Sequence, residues 1–202
     1  MTSAMRVAAV TAASLCIALG TAPAAFADSG TVKDKTNDVV MRGKVSGDRT
    51  ASERAFAKRT DVTSAKISHG STYVSVKISF ADLRADDQKI AQIDVARKTV
   101  TNTTGTVSHS FRLIGSVSEP RGPVKLYDSL GIERMCDITA IVRFGKNGFY
   151  KVQVPRSCLD NESKIKVRTS VFAVSGEGRS FKDFVSPTKA KTSAWSEWIL
   201  KG

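Results

Sequence analysis

An all-β fold, an antiparallel β-sandwich of about eight or nine strands, is the architecture this sequence predicts. Three observations carry that expectation. Apolar side chains recur at every second position over most of the chain, the period of a half-buried strand. Sustained helical periodicity is almost absent. Turn-forming clusters separate the apolar runs: Ala85-Asp86-Asp87, Asn102-Thr103-Thr104-Gly105, Asp160-Asn161-Glu162-Ser163 and Ser175-Gly176-Glu177-Gly178.

The 202 residues begin with a segment that reads as an export signal. Arg6 supplies its positive start, Val7 to Leu19 its apolar run, and Ala25-Phe26-Ala27 the small residues of a cleavage site. The run is shorter than the about 20 residues of a permanent membrane span. Residues 1–27 are therefore expected to be removed and residues 28–202 to form one secreted domain. Cys16 lies inside the signal and follows Leu15, which does not suit lipid attachment. Apolar residues at 41% and charged residues at 25% suit a globular protein, and the net charge of +12, reduced by one on loss of Arg6, makes it a basic one. A multidomain enzyme, a membrane channel and a disulfide-dense miniprotein are excluded.

Along the exported part, Val39 to Lys44 is expected to supply the first strand. Residues 46–59 are polar and basic and read as a loop or one short helix. Asp61 to Phe80 is the clearest hairpin: Thr63, Ala65 and Ile67 share one face, and Val74, Val76, Ile78 and Phe80 share the matching face. A two-residue turn at Gly70-Ser71 would pair Ile67 with Val74 and leave His69 exposed. Ile90 to Ala96 and Val107 to Leu113 follow as strands. Residues 116–135, with Pro120 and Pro123, read as a long surface connection.

Ile138 to Val154 forms a second hairpin. Centred on Asn147, with Gly148 left-handed, it pairs Phe144 with Tyr150 and Val142 with Val152. Continued outward, the same count sets Cys136 opposite Cys158 and predicts a disulfide that closes a loop of about 22 residues, for roughly 3 kcal/mol. Pro155 must interrupt the ladder there, because it has no N–H. Ile165 to Ala173 supplies another strand and Trp195 to Leu200 the last. Trp195 and Trp198 fall on opposite faces by parity, one of them toward the core.

Signatures of catalysis are missing. His69 and His109 are the only histidines, and no HExxH, GxSxG or phosphate loop occurs. His109 shares the parity of Val107 and Phe111 and reads as a hydrogen-bonded core or edge residue. Asp82, Asp86, Asp87 and Asp94 would be the carboxylates of a polysaccharide-acting enzyme, but a turn followed by a strand accounts for them equally. Asp34, Asp38 and Asp61 could converge at one sheet end and suit Ca2+. Their basic neighbours Lys33, Lys35 and Arg59 favour ion pairing instead, and no cofactor is expected.

The outward faces carry the functional signal. Lys164, Lys166 and Arg168 alternate with an apolar set, and Arg143 falls opposite Lys151. Like charges in opposition cost stability, so these five residues are the expected contact for an anionic partner, a cell-wall or other extracellular polymer. Nucleic acid is disfavoured by the lack of exposed aromatics beside the basic stripe.

Asp61-Val62 through Phe80-Ala81-Asp82-Leu83-Arg84, together with Asp34 to Val39 and the Trp195–Trp198 ending, resembles a group of uncharacterised secreted actinobacterial β-sandwich proteins. It is distantly similar to the sandwich of family-9-type carbohydrate-binding modules. The resemblance covers about a third of the exported chain and implies a sandwich fold and a binding role. It departs from those modules in lacking an evident pair of exposed aromatics for a sugar ring. The expectation is a secreted, non-enzymatic binding module for an anionic or carbohydrate polymer. The alternatives are a polysaccharide-acting enzyme and an interaction protein that docks through residues 116–135.

Overall fold

A computed structural model describes residues 28–42, 49–97, 111–119, 122–175, 178–189 and 192–202. The signal segment, Val107 and His109 lie outside them. In chain order the elements are β1 (Asp28–Lys33), β2 (Val40–Arg42), α1 (Ala51–Thr60), β3 (Val62–His69), β4 (Tyr73–Phe80), β5 (Asp82–Leu83), β6 (Gln88–Arg97) and β7 (Phe111–Ser116). Then come β8 (Val124–Asp128), β9 (Glu133–Arg134), β10 (Thr139–Arg143), β11 (Gly145–Lys146), β12 (Phe149–Pro155), a 3-10 turn (Arg156–Leu159), β13 (Lys164–Val174), β14 (Ser180–Phe184) and β15 (Ile199–Leu200).

Two large antiparallel sheets result, with a small two-stranded one, β5-β11, beside them. The first runs β1-β3-β4-β12-β10 and the second β2-β14-β13-β6-β7-β8-β9, with β15 paired to β13. Their inner faces share one core: Ala65, Ile67, Val76, Ile78, Tyr150 and Val152 from the first meet Ile93, Val95, Leu113, Leu126, Val167 and Val171 from the second. The sheets approach so closely that a Cβ on Gly115 would overlap the Tyr150 hydroxyl. The sandwich is as the alternation predicts, and the predicted Cys136–Cys158 bond is present.

Both hairpins keep the predicted faces but slide by two residues. In the first, Ile67 pairs with Val76 and His69 with Val74, so Ser71-Thr72 makes the turn. His69 is consequently fully buried rather than exposed, and its Nδ1 lies 3.3 Å from the Ile199 carbonyl of β15. In the second, Val142 pairs with Tyr150 and Ala140 with Val152. Its turn is longer because Gly145 and Lys146 leave to pair with Leu83 and Asp82. Asn147, not Gly148, takes the left-handed conformation (φ 55°). Gly148 is needed for space: a Cβ there would lie 2.7 Å from Leu83 Cβ. The disulfide therefore joins not facing ladder positions but the segment before β10 and the 3-10 turn after Pro155, with Cα atoms 6.1 Å apart.

Residues 51–60 form a helix. Thr50 and Glu53 make a reciprocal capping box, which satisfies amides that the first turn would leave unpaired. Glu53, Phe56, Ala57 and Thr60 lie on one buried stripe, at the spacing of a single helix face. Phe56 and Ala57 close a second small core with Val39, Ala173 and Phe181. The 116–135 region is less loop than expected, since β8 extends the second sheet and buries Leu126. Only Ile199 and Leu200 of the last segment are strand.

Candidate functional site

Strand alternation and register together build the outer face of the first sheet. Lys66 of β3, Lys77 of β4 and Lys151 of β12 stand directly opposite one another in a single transverse row. The next row reads Lys33, Ser64, Ser79, Phe149, Arg143 across all five strands. Lys77 Nζ sits 4.3 Å from the centre of the Phe149 ring. On the other side of the lysines runs a row of Ser29, Ser68, Ser75, Gln153 and Thr139. The outward positions of these strands include no acidic residue. Among the described residues, Lys33, Lys66, Lys77, Arg143 and Lys151 form no ion pair.

The five cations expected to make one basic contact are thus divided between two faces. Arg143 and Lys151 belong to the first sheet, but Arg143 faces Phe149, and Lys151 faces Ile141 and Lys77. Lys164, Lys166 and Arg168 lie on the outer side of the second sheet. There Arg168 and Arg112 hold Asp94 between them at 3.0 and 2.8 Å. Burial pushes the Asp94 carboxyl up, but the two guanidiniums outweigh it and hold the group below the usual carboxylate range. Both tryptophans are half-buried and cover this stripe, instead of facing opposite ways. Trp195 lies 4.7 Å from the Arg168 guanidinium, and Trp198 lies 5.4 and 5.2 Å from Lys164 and Lys166. Lys66 and Lys77 went unnoticed in the sequence. Parity already turns them outward, but only a register spanning three strands sets them beside Lys151.

An acidic cluster occupies one end of the sandwich. Asp34 follows β1 and Asp38 precedes β2, so the segment between them crosses from one sheet to the other. The cluster is completed by Asp183 of β14, which the sequence reading missed. One carboxylate oxygen from each of Asp34, Asp38 and Asp183 lies within 4.8 Å of the others. Asp61, at the C-terminus of α1, accepts a hydrogen bond from the Asn37 amide at 2.8 Å. The expected ion pairing is not found: among the described residues none of the four pairs with Lys or Arg. Burial, reinforced by mutual repulsion, raises all but Asp38 in this way, Asp34 to about 7 and Asp183 to about 8. Asp38 is raised as well, by burial alone, against the pull of its own amide and of Lys35 and Lys189.

Of the carboxylates suited to an enzyme, Asp82, Asp86 and Asp87 lie near one another beside α1, and Asp94 lies apart. Asp82 pairs with Arg84, Asp87 with Arg59 and Lys89, and Asp94 with its two arginines on another face. A cavity of about 490 Å³ beside α1 includes Arg59, Asp86, Asp87 and Glu53 in its lining; Arg59 pairs with Asp87 and Glu53 with Arg179, while Asp86 forms no ion pair among the described residues. Among the described residues no helix is long and apolar enough to cross a membrane. Compared with protein-family models, curated proteins and solved structures, the chain finds no match.

Proposed function

We propose that this is an exported, non-enzymatic module that binds an extended anionic polymer, of the cell wall or its surroundings, on the outer face of the first sheet. One observation carries the reading. The Lys66–Lys77–Lys151 row is built from like charges with no carboxylate beside it, whereas on the opposite face Arg112 and Arg168 are paired with Asp94, and Trp195 and Trp198 lie over Arg168, Lys164 and Lys166. Juxtaposed cations cost the fold stability unless an anion covers them. An open sheet face suits an extended chain, and the flanking row of Ser68, Ser75 and Gln153 offers hydrogen bonds to it. The export segment and the disulfide support an oxidising, extracellular setting.

Binding to immobilised dextran sulfate and to teichoic-acid-bearing wall fragments, with neutral dextran as control, tests this. Affinity should fall roughly tenfold to hundredfold between about 50 and about 200 mM salt, as counterion release requires of several neutralised charges. The Lys66→Ala/Lys77→Ala/Lys151→Ala variant should bind at least about tenfold more weakly, and Lys164→Ala/Lys166→Ala should bind as the parent does. A salt-insensitive affinity, or a loss confined to the second variant, overturns the assignment.

A second reading has its own observation. Leu130, Ile132 and Met135 are 81, 59 and 94% exposed around the β8–β9 turn, an apolar tip held by Asp128, which accepts hydrogen bonds from the Leu130 and Ile132 amides. That tip favours docking to a protein partner through the 116–135 region.

A further inference from the structure

We propose that Asp34, Asp38 and Asp183, supported by Asp61, bind a divalent cation, Ca2+ by the chemistry of the donors, at the crossover between the two sheets. The proposal is independent of polymer binding. Proximity of carboxylates alone would not carry it. Each of the three also has a buried oxygen without a hydrogen-bond partner: Asp34 Oδ2, Asp38 Oδ1 and Asp183 Oδ1. Asp183 is completely buried and Asp38 is 8% exposed. Water therefore cannot readily solvate these oxygens, and an uncompensated buried carboxylate is strongly disfavoured.

The second oxygens of Asp34 and Asp183, and one oxygen of Asp61, are already fixed. Asp183 Oδ2 accepts from the Val62 amide at 2.6 Å, Asp34 Oδ1 from the Ser186 amide at 2.6 Å, and Asp61 Oδ1 from the Asn37 amide at 2.8 Å. Asp34 and Asp183 thus use one oxygen to hold their orientation and leave the other for a ligand, the division of labour that outer-shell hydrogen bonds impose at metal sites. The backbone is fixed from both sides as well, since the Asp34 amide donates to Thr63 and the Lys35 amide to Ser186. Donors that are all carboxylate oxygens suit a hard cation rather than zinc or copper. Ca2+ tolerates the irregular geometry of a crossover, whereas Mg2+ demands a near-octahedral shell. Bound there, the ion would join the end of β1, the start of β3 and β14 in one clamp across the sandwich.

The competing account is a proton shared among the carboxylates. Thermal unfolding of the full exported chain, stripped with EDTA and then given Ca2+ or Mg2+ at about 5 mM, within the range of extracellular sites, separates the two. Calorimetric titration of Ca2+ supplies a direct readout. Ca2+ should raise the melting temperature by several degrees and give a saturable heat. Asp183→Asn should abolish both responses. Should that variant not fold, Asp38→Asn, in the crossover segment, should weaken the affinity at least about tenfold. No binding at millimolar Ca2+, an equal response to Mg2+, parental affinity in Asp38→Asn, or a stabilised Asp183→Asn in a protein indifferent to Ca2+ would each overturn the proposal.

Discussion

Burial of His69 gives the fold a pH dependence of definite sign. Burial holds its imidazole below the ordinary value, and nearby Arg156 adds to the effect while the Ile199 carbonyl and Asp28 oppose it. In the unfolded chain the same group titrates near 6.5. Below that pH the unfolded state takes up a proton that the folded state refuses, so stability is lost as pH falls through the unfolded value. Over the interval from about 7 to 5 the loss is bounded by about 2 kcal/mol, at 1.36 kcal/mol per pH unit below 6.5. His69→Gln cannot titrate, and its urea midpoint should decline less over that interval than the parent's. Equal declines would mean that His69 is protonated in the folded state. The two Nδ1 and Nε2 environments fit a neutral ring, since Nδ1 meets a carbonyl and Nε2 has no partner.

At the level of elements, α1 is fastened to the second sheet by charge as well as by Phe56. Asp87 accepts from Arg59 of α1 at 2.9 and 3.1 Å and from Lys89 of β6 at 2.7 Å. The Lys89 side chain is fully buried. Asp87→Asn would leave that ammonium without its anion, and the expected cost is about 3–5 kcal/mol by denaturant unfolding. Lys89→Met removes the charge together with its desolvation cost and should be milder; a larger loss in Lys89→Met would assign the stability to the ion pair itself. These elements also mark where the sequence was readable. Period-two alternation survives a slide of two residues, so both hairpins show their correct faces while every cross-strand partner is wrong. The shifts are set by distant strands: Ile199 over His69 in one case, Leu83 beside Gly145 in the other. By contrast α1 was legible from Thr50 and Glu53 and the Phe56-Ala57-Thr60 stripe, signals that the polar composition of 46–59 masked. Asp183 was invisible for the same reason as the registers, because β14 joins the cluster only through tertiary pairing.

Among the described residues the two outer faces of the molecule carry their charge differently, and the disulfide lies at the edge of this arrangement. The first sheet's lysine row has no acidic neighbour, while on the second sheet Arg112 and Arg168 share Asp94, and Lys164 and Lys166 lie against an aromatic ring. Cys136 precedes β10 and Cys158 follows β12, so the bond closes the far end of the hairpin that carries Lys151 and Arg143. Its removal frees the unfolded chain, at a cost near 3 kcal/mol for a loop of about this length. The folded state keeps other ties there: Arg156 donates to the carbonyls of Ser71, Asn161 and Glu162 at 3.2, 2.6 and 2.9 Å, and Leu159 remains buried. The Cys136→Ala/Cys158→Ala variant should therefore keep its β-sheet circular dichroism but unfold at lower urea. Below its unfolding range it should bind dextran sulfate as the parent does, because Lys66 and Lys77 stand on β3 and β4, which the bond does not touch. A folded variant with weakened binding would shift the contact toward the β10–β12 end of the sheet. Unchanged stability would mean that the hairpin's own ladder, rather than the covalent loop, restrains that end.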